Sequence, residues 1–316
     1  KNILDTQKIE LDLSYFQCQD GKFPWYTDRW ETEFGFKPRK KDESSFPQKY
    51  ADFAASAQKV LEEAILNLAK EVQELTKEKR LCMAGGVALN GKANGIIIEQ
   101  NIFEEVFVQP ASADDGSSIG AALKLSQEKG ADIFRPLESI YLGSAFSNDC
   151  YKGALVDNSF ANNYSFEHIE DDALFTKIAI ELSKSAVVGW FQGASELGPR
   201  ALGNRSILAD PTNPKMKDIL NKKIKFREPF RPFAPSILDK YSTDYFEGEH
   251  SNAYYMNQIF QVKEDKKNII PAVTHADGTS RIQVVTQKHN PRFYKLIERF
   301  ESVSGVPILI NTSMNV

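Results

Sequence analysis

The stretch Val187–Pro235 reads VVGWFQGASELGPRALGNRSILADPTNPKMKDILNKKIKFREPFRPFAP. Val187 and Val188 run through Gly189 into Trp190 and Phe191, the pattern of a β-strand entering a loop near Gly193. The loop carries Glu196, Gly198, Pro199, Arg200, Gly203, Asn204 and Arg205. Its glycines let the backbone approach a ligand closely or take a positive φ. A short helical patch is expected at Met216–Leu220, followed by Lys222, Lys223, Lys225, Arg227 and Arg231. Solubility alone does not require the Pro-Arg and Arg-Pro steps found here. Guanidinium forks held between glycines and prolines suit a small oxyanion such as phosphate, carbamate or carboxylate.

Downstream, Ser236–Leu238 extends a strand. Residues 241–256 are rich in aromatics (Tyr241, Tyr245, Phe246, Tyr254, Tyr255) and read either as a partner-facing loop or lid, or as ordinary core. Asp277-Gly278 marks a tight turn, after which Arg281 and Gln283 face the same side of a strand. His275 is a general acid or a plain hydrogen-bond donor, and position alone leaves both open. A helix over 290–300 precedes a last strand, Val306–Ile310. The polar cluster Asn311-Thr312-Ser313-Met314-Asn315-Val316 follows, well placed to present hydroxyl and amide groups.

Upstream, a helix over 171–185 leads into the organising stretch, and the turn-rich run Gly130–Asn148 is the expected interdomain linker. Two strand–glycine turn–helix units stand before it. In the first, Leu81–Ala84 is a short buried strand, Gly85-Gly86 a turn, and a helix runs from Leu89 to Gln100. A helix start at such a turn favours an anion and lets a flat base approach, although a plain tight turn fits equally. In the second, Glu105–Gln109 is a strand, Pro110–Gly116 an acidic turn, and a helix runs to Glu128. Asp114 or Asp115 would either ligate a hard cation or cap that helix. Two such units about 30 residues apart suggest one nucleotide cleft. Earlier still, Phe53, Ala57, Leu61, Ala64, Leu68, Val72 and Leu75 recur at helical spacing from Pro47 to the Lys77–Arg80 cluster, a packing helix. Ile9–Leu13 alternates like a strand, and Lys37–Glu43 reads as an exposed charged loop.

The 316 residues allow one large or two ordinary domains, and 41% hydrophobic with 26% charged residues is a globular balance. The net charge of −4 starts a general nucleic-acid binder low. Cys18, Cys82 and Cys150 are far apart and show neither disulfide nor metal spacing, which suits a reducing cytosol. His168, His250, His275 and His289 are never paired at ligand spacing. No membrane-length apolar run or signal peptide is read. A start at Lys1 and a stop at Val316, just past a strand-like run, suggest a piece of something longer.

These motifs together resemble the O-carbamoyltransferases of the nodulation-protein and antibiotic-biosynthesis type. The matching blocks are GGVALN (85–90), the PxxxDxG turn (110–116), ELGPRALGNRSILADP (196–211), REPFRPFAPS (227–236), HADGTSRIQVV (275–285) and NTSMNV (311–316). The resemblance implies an α/β protein in two parts. Residues 1–139 would be the C-terminal portion of an actin- or sugar-kinase-like (ribonuclease-H-like) ATP-binding domain. Residues 140–316 would be a smaller α/β domain similar to the carbamoyl-adenylate-forming, YrdC-like fold. Carbamoyl phosphate and ATP would give carbamoyl-adenylate, and the carbamoyl group would pass to a hydroxyl of a small molecule or saccharide.

By the same resemblance, Arg200, Lys225, Arg231, Arg281 and Ser313 would line the carbamoyl phosphate and adenylate pocket. Gly85, Gly86, Asn90 and Gly116 would form the nucleotide turns. Asp115, with Asp114 as the alternate, would bind a divalent metal, iron or similar. The other metal ligands are histidines of an N-terminal lobe that this sequence lacks, so transfer by this chain alone would be incomplete. A cytoplasmic protein, with room for a homodimer and no membrane partner, is expected. A tRNA threonylcarbamoyl-type enzyme and a non-catalytic ATP-binding module are the alternatives. The acidic charge disfavours the first, and the arginine-rich blocks would be unexplained by the second.

Overall fold

A computed structural model describes residues 12–17, 26–39, 46–133, 137, 139–156, 164–250 and 252–315. Contacts divide the chain into two units, Lys1–Lys79 with Ile96–Glu104, and Arg80–Gly95 with Glu105–Val316. The first holds a short 3-10 turn at Leu13–Tyr15 and helices α1 (Arg29–Phe34) and α2 (Gln48–Thr76). The expected strand Ile9–Leu13 lies largely outside the described residues, and its end enters that 3-10 turn. Phe53 of α2 is the packing centre here: Trp30, Phe34 and Phe36 set ring centroids 5.8, 4.7 and 5.7 Å from it. Of the predicted apolar face, however, Leu68 and Leu75 are exposed. The helix ends at Thr76, where Lys77 takes φ +57°, and Arg80 opens a strand rather than closing the helix.

The second unit opens with β1 (Arg80–Met83), a 3-10 turn at Gly86–Leu89 and the start of α3 (Gly91–Glu99), whose residues from Ile96 belong to the first unit, and continues with β2 (Glu105–Val108) and α4 (Ser117–Glu128). The two strands pair in parallel, Arg80 opposite Glu105 through Met83 opposite Val108. The sequence predicts β1 as buried, but Arg80 and Cys82 are exposed, because β2 is its sole described partner strand. Residues 139–147 of the expected linker carry no helix or strand, and α5 (Asn148–Val156) begins at its end.

The core is a five-stranded mixed sheet. It follows α6 (Asp171–Ser183) and contains β3 (Val188–Phe191) and β4 (Arg205–Ala209). After α7 (Met216–Ile219) and a wider helical turn to Ile224 comes β5 (Ala234–Leu238). Helix α8 (Ser242–Tyr245), the small antiparallel pair β6 (Phe260–Gln261) and β7 (Thr279–Ser280), then β8 (Gln283–Val285), α9 (Pro291–Ser304) and β9 (Ile308–Ser313) complete it. The order is β3-β4-β9-β5-β8, antiparallel except between β5 and β8.

Side chains alternate along these strands, and the alternation builds two cores. Trp190, Leu208, Leu238, Val285 and Leu309 pack under α6 and α9 with Phe175, Phe293 and Phe300. Ala209, Ile237, Val284, Ile308 and Ile310 face the other way, against Met216, Leu220, Phe246 and Ile270. Tyr245, Phe246, Ala253 and Met256 are buried, so packing accounts for much of the aromatic-rich segment. Strand β9 runs three residues past the predicted end at Ile310. Asn311, Thr312 and Ser313 pair with Leu208, Ile207 and Ser206, which gives their backbone groups ladder partners.

Candidate functional site

The loop from β3 to β4 is built around one carboxylate. Glu196 Oε1 accepts the backbone N–H groups of Leu202, Asn204 and Arg205 at 2.8, 2.8 and 3.2 Å. Gly203 takes φ +102°, and a Cβ there would lie 2.3 Å from the Phe293 ring, so no other residue fits. Arg205 is occupied internally: its guanidinium donates to the carbonyls of Gln192, Gly193, Asn204 and Ser144 and stacks 3.6 Å over Phe191. Two arginines of one loop thus differ in role, because Arg200 has a single described partner, the Leu89 carbonyl at 3.3 Å.

Three blocks far apart in sequence meet here. The Gly85 N–H donates to Ser112 O at 2.6 Å, joining the first turn to the second. Gly198, at φ +110°, lies over Pro110 and Ala111, where a Cβ would come within 2.9 Å of the Pro110 carbonyl. The Arg200 bond to Leu89 closes the triangle. Asn94, at 0% exposure, donates to Ala88 O and Asn257 O, and Asn257 donates to Val108 O, so the first turn is also pinned from the aromatic-rich segment.

The predicted nucleotide residues separate by cause. Gly85 has φ +98°, and a Cβ at Gly85 or Gly86 would meet nothing within 4 Å, so this backbone is open to a ligand. Gly116 is required by packing, since its Cβ would stand 1.9 Å from Ala111 O. Asn90 caps α3 through Ala93 N at 3.1 Å. Buried polar atoms without a described partner, Ser112 Oγ and Asn94 Oδ1 among them, fit a polar ligand at these turns.

Of the predicted oxyanion residues, Arg200 and Arg281 are brought together. Burial pushes the Arg281 guanidinium down to about 9, with Arg200 and Arg227 adding repulsion. Burial alone lowers Arg200. Both Nε atoms are buried without a described acceptor. Unpaired cationic donors of this kind suit an incoming anion. Lys225 is lowered by burial and then by Arg227, and its Nζ donates to the backbone carbonyls of Ser313 and Asn315 and lies 3.3 Å from Ser313 Oγ. Arg231 is half-exposed and paired with Glu228 at 2.8 Å. Arg227, present in the sequence but not assigned to the pocket, stacks 4.6 Å from the Phe233 ring centroid and donates through Nε to Asn221 Oδ1 at 2.7 Å. Its REPFRPF context was the one available signal.

His275 lies 3.1 Å through Nδ1 from Thr279 Oγ1 and against the Phe233 backbone. Burial pushes it down to about 4, with Asp277 opposing and Arg281 and Lys217 reinforcing, so it is neutral near pH 7. That favours the plain hydrogen-bonding role over the general acid. Asp114 is exposed, and Asp115 Oδ1 accepts its neighbour Gly116 N–H at 3.1 Å; neither side chain caps α4. No group of three or more His, Cys, Asp or Glu able to hold a metal forms among the described residues. The two aspartates are a partial donor set for a divalent ion and do not make a metal site by themselves.

A family model described as carbamoyltransferase C-terminus matches residues 179–316, and one described as carbamoyltransferase N-terminus matches residues 30–123. Nodulation protein NolNO of Sinorhizobium fredii is 41% identical over 85% of the chain and 40% of its own length. Nodulation protein NolO of Bradyrhizobium diazoefficiens is 40% identical over 85% of the chain and 49% of its own length. An uncharacterized protein of Synechocystis is 38% identical over 100% of the chain and 55% of its own length. The chain spans about half the length of these relatives.

Proposed function

The chain belongs to the carbamoyltransferase family, and from that premise we propose that it forms the carbamoyl phosphate pocket of an ATP-dependent O-carbamoyltransferase. The donor phosphate binds between Arg200 and Arg281, with Arg227 behind them and Lys225, Ser313 and Arg231 along the rim. ATP lies along the open Gly85-Gly86 backbone and Asn90, with Gly116 shaping the turn beneath. In this half-reaction water releases phosphate from carbamoyl phosphate, and the resulting carbamate attacks the α-phosphorus of ATP as pyrophosphate leaves. The carbamoyl-adenylate formed passes its carbamoyl group to a hydroxyl of a small molecule or saccharide as AMP leaves. The boundary near residue 140, with a ribonuclease-H-like part before it and a YrdC-like part after it, belongs to the same proposal. So do a cytoplasmic location and a homodimer. Asp115, with Asp114 as alternate, would hold a divalent metal only together with further donors, since no group of three or more ligands forms among the described residues.

The observation that carries this reading is the pair of buried, unpartnered guanidinium Nε atoms at the meeting point of three motif blocks. Fixed positive charge in a partly desolvated pocket is what a transferring acyl phosphate needs. A tRNA substrate has less support, because the chain is acidic. The test is calorimetric titration with carbamoyl phosphate. Arg200→Ala should weaken binding by about 1.5–3 kcal/mol, the size of a charge-assisted contact. An unchanged dissociation constant would remove Arg200 from the pocket.

A further inference from the structure

The cationic pocket explains how a phosphate is held. It does not explain how a carbamoyl group, with its NH2 donors, is told from an acetyl group of nearly the same shape. The arginines and Lys225 of the pocket only donate, and Ser313 Oγ already accepts from Lys225 Nζ at 3.3 Å; a substrate N–H needs an acceptor of its own.

A buried amide network on the sheet supplies one. Gln283 is 3% exposed, and its Nε2 donates to the Leu202 carbonyl at 2.8 Å. That carbonyl can only accept, so the orientation of the Gln283 amide is fixed and Oε1 faces inward. Gln283 Oε1 accepts from Ser236 Oγ at 2.6 Å and from Asn311 Nδ2 at 3.0 Å. The Ser236 hydroxyl hydrogen is thereby committed, and Ser236 Oγ accepts from Asn311 Nδ2 at 3.0 Å. Both donor contacts of Asn311 Nδ2 are thus accounted for, and its orientation follows from the Leu202 backbone carbonyl two hydrogen bonds away, through Gln283. What is left is Asn311 Oδ1, buried at 1% exposure of the residue and without a described partner.

The network's anchors also stand in the right places. Leu202 is two residues after Arg200, Gln283 two after Arg281, and Asn311 two before Ser313. Of these pairs Asn311 and Ser313 lie together on one strand, β9, where that spacing returns side chains to one face, and Ser313 meets Lys225 Nζ through its carbonyl and Oγ. Asn311 pairs across the ladder with Ala234, and Ser236 with Gln283, so Asn311 and the Arg281 end of β8 occupy the same end of one sheet face. A buried acceptor left unsatisfied is costly, and native proteins rarely tolerate one without a purpose.

We propose that Asn311 Oδ1 accepts an N–H of the carbamoyl donor and is the residue that selects carbamoyl over acyl groups lacking that hydrogen. The inference rests on the carbamoyl phosphate reading above. A site built to bond a substrate N–H discriminates strongly against an analogue without it, since the acceptor is then stranded.

The experiment is calorimetry of the 316-residue chain with carbamoyl phosphate, acetyl phosphate and inorganic phosphate. The wild type should prefer carbamoyl over acetyl phosphate by at least about tenfold. Asn311→Leu should bring the two to within about twofold by weakening the carbamoyl compound, with inorganic phosphate unchanged. Asn311→Thr covers a failure of the leucine variant to fold, because threonine suits a strand and its hydroxyl still donates to Gln283 while reaching too short to replace Oδ1. A folded variant that keeps the preference, or a wild type with none, overturns the role of Asn311 and leaves the pocket standing. A wild type that binds neither carbamoyl phosphate nor phosphate sinks the pocket reading and this inference together.

Discussion

Arg200 and Arg205 stand in one loop, yet one guanidinium keeps a single described partner, the Leu89 carbonyl, and is proposed for a ligand, while the other is taken up by the fold. Arg205 satisfies four backbone carbonyls and covers Phe191, so Arg205→Ala should cost about 2 kcal/mol of stability. Urea midpoints check this, and a variant as stable as wild type would mean the carbonyls find water instead. His275 makes the other residue-scale prediction. Its ordinary value of 6.5 falls to about 4 in the folded state. The unfolded chain therefore binds more protons between those pH values, and stability is full above 6.5 and lost as pH falls toward 4. That linkage amounts to about 3 kcal/mol. Asp277, whose burial is outweighed by the Thr279 hydrogen bonds, Lys92 and His275, acts below its ordinary 3.8 and does not confuse the window. His275→Asn should flatten the melting-temperature profile between pH 6.5 and 4. An unaltered slope would assign the acid sensitivity elsewhere.

Turns and strands carry a sharper contrast. Gly86→Ala places a methyl in open space without a positive φ, so the fold should tolerate it within about 0.5–1 kcal/mol while nucleotide binding falls. Gly116→Ala drives a methyl into Ala111 O and should destabilise the turn by about 1–3 kcal/mol whether or not nucleotide is present. Thermal melts with and without ATP separate the two, and equal losses would deny the first turn its ligand. At this scale the sequence was legible where periodicity was strong: α6, α9 and the strand at Val188–Phe191 fall where apolar spacing and β-branched runs put them. It was silent where partners are remote. Polar Asn311 and Ser313 read as a loop because only pairing with β4 and internal amide bonds make them strand. Exposed Leu68 and Leu75 read as core because periodicity marks a face without saying what covers it. Arg200 and Arg281 were legible as cations among turn residues, but their meeting depends on the β8-β5-β9-β4 order, which no local pattern encodes.

The whole molecule answers to the charge it concentrates. Its net charge is −4, yet Arg200, Arg227, Arg281 and Lys225 all show the depressed values of buried cations, and three of them are lowered further by cationic neighbours. Folding must bring these groups together against their mutual repulsion and partial desolvation, and no carboxylate partner for Arg200 or Arg281 is found among the described ion pairs. A divalent oxyanion bound only by the native state reverses that penalty. At one hundred times its dissociation constant, such a ligand stabilises by about 2.7 kcal/mol. For a chain of this size that is a rise in melting temperature of about 4 °C. Carbamoyl phosphate, and more weakly phosphate or sulfate, should produce the shift, and chloride at equal ionic strength should not, because screening alone weakens exposed pairs rather than filling a fork. Arg200→Ala should lose most of it while melting, without ligand, no lower than wild type, since removing one of several crowded cations relieves the others. If chloride matches sulfate, or if the variant keeps the full shift, the stabilising anion sits somewhere other than between Arg200 and Arg281.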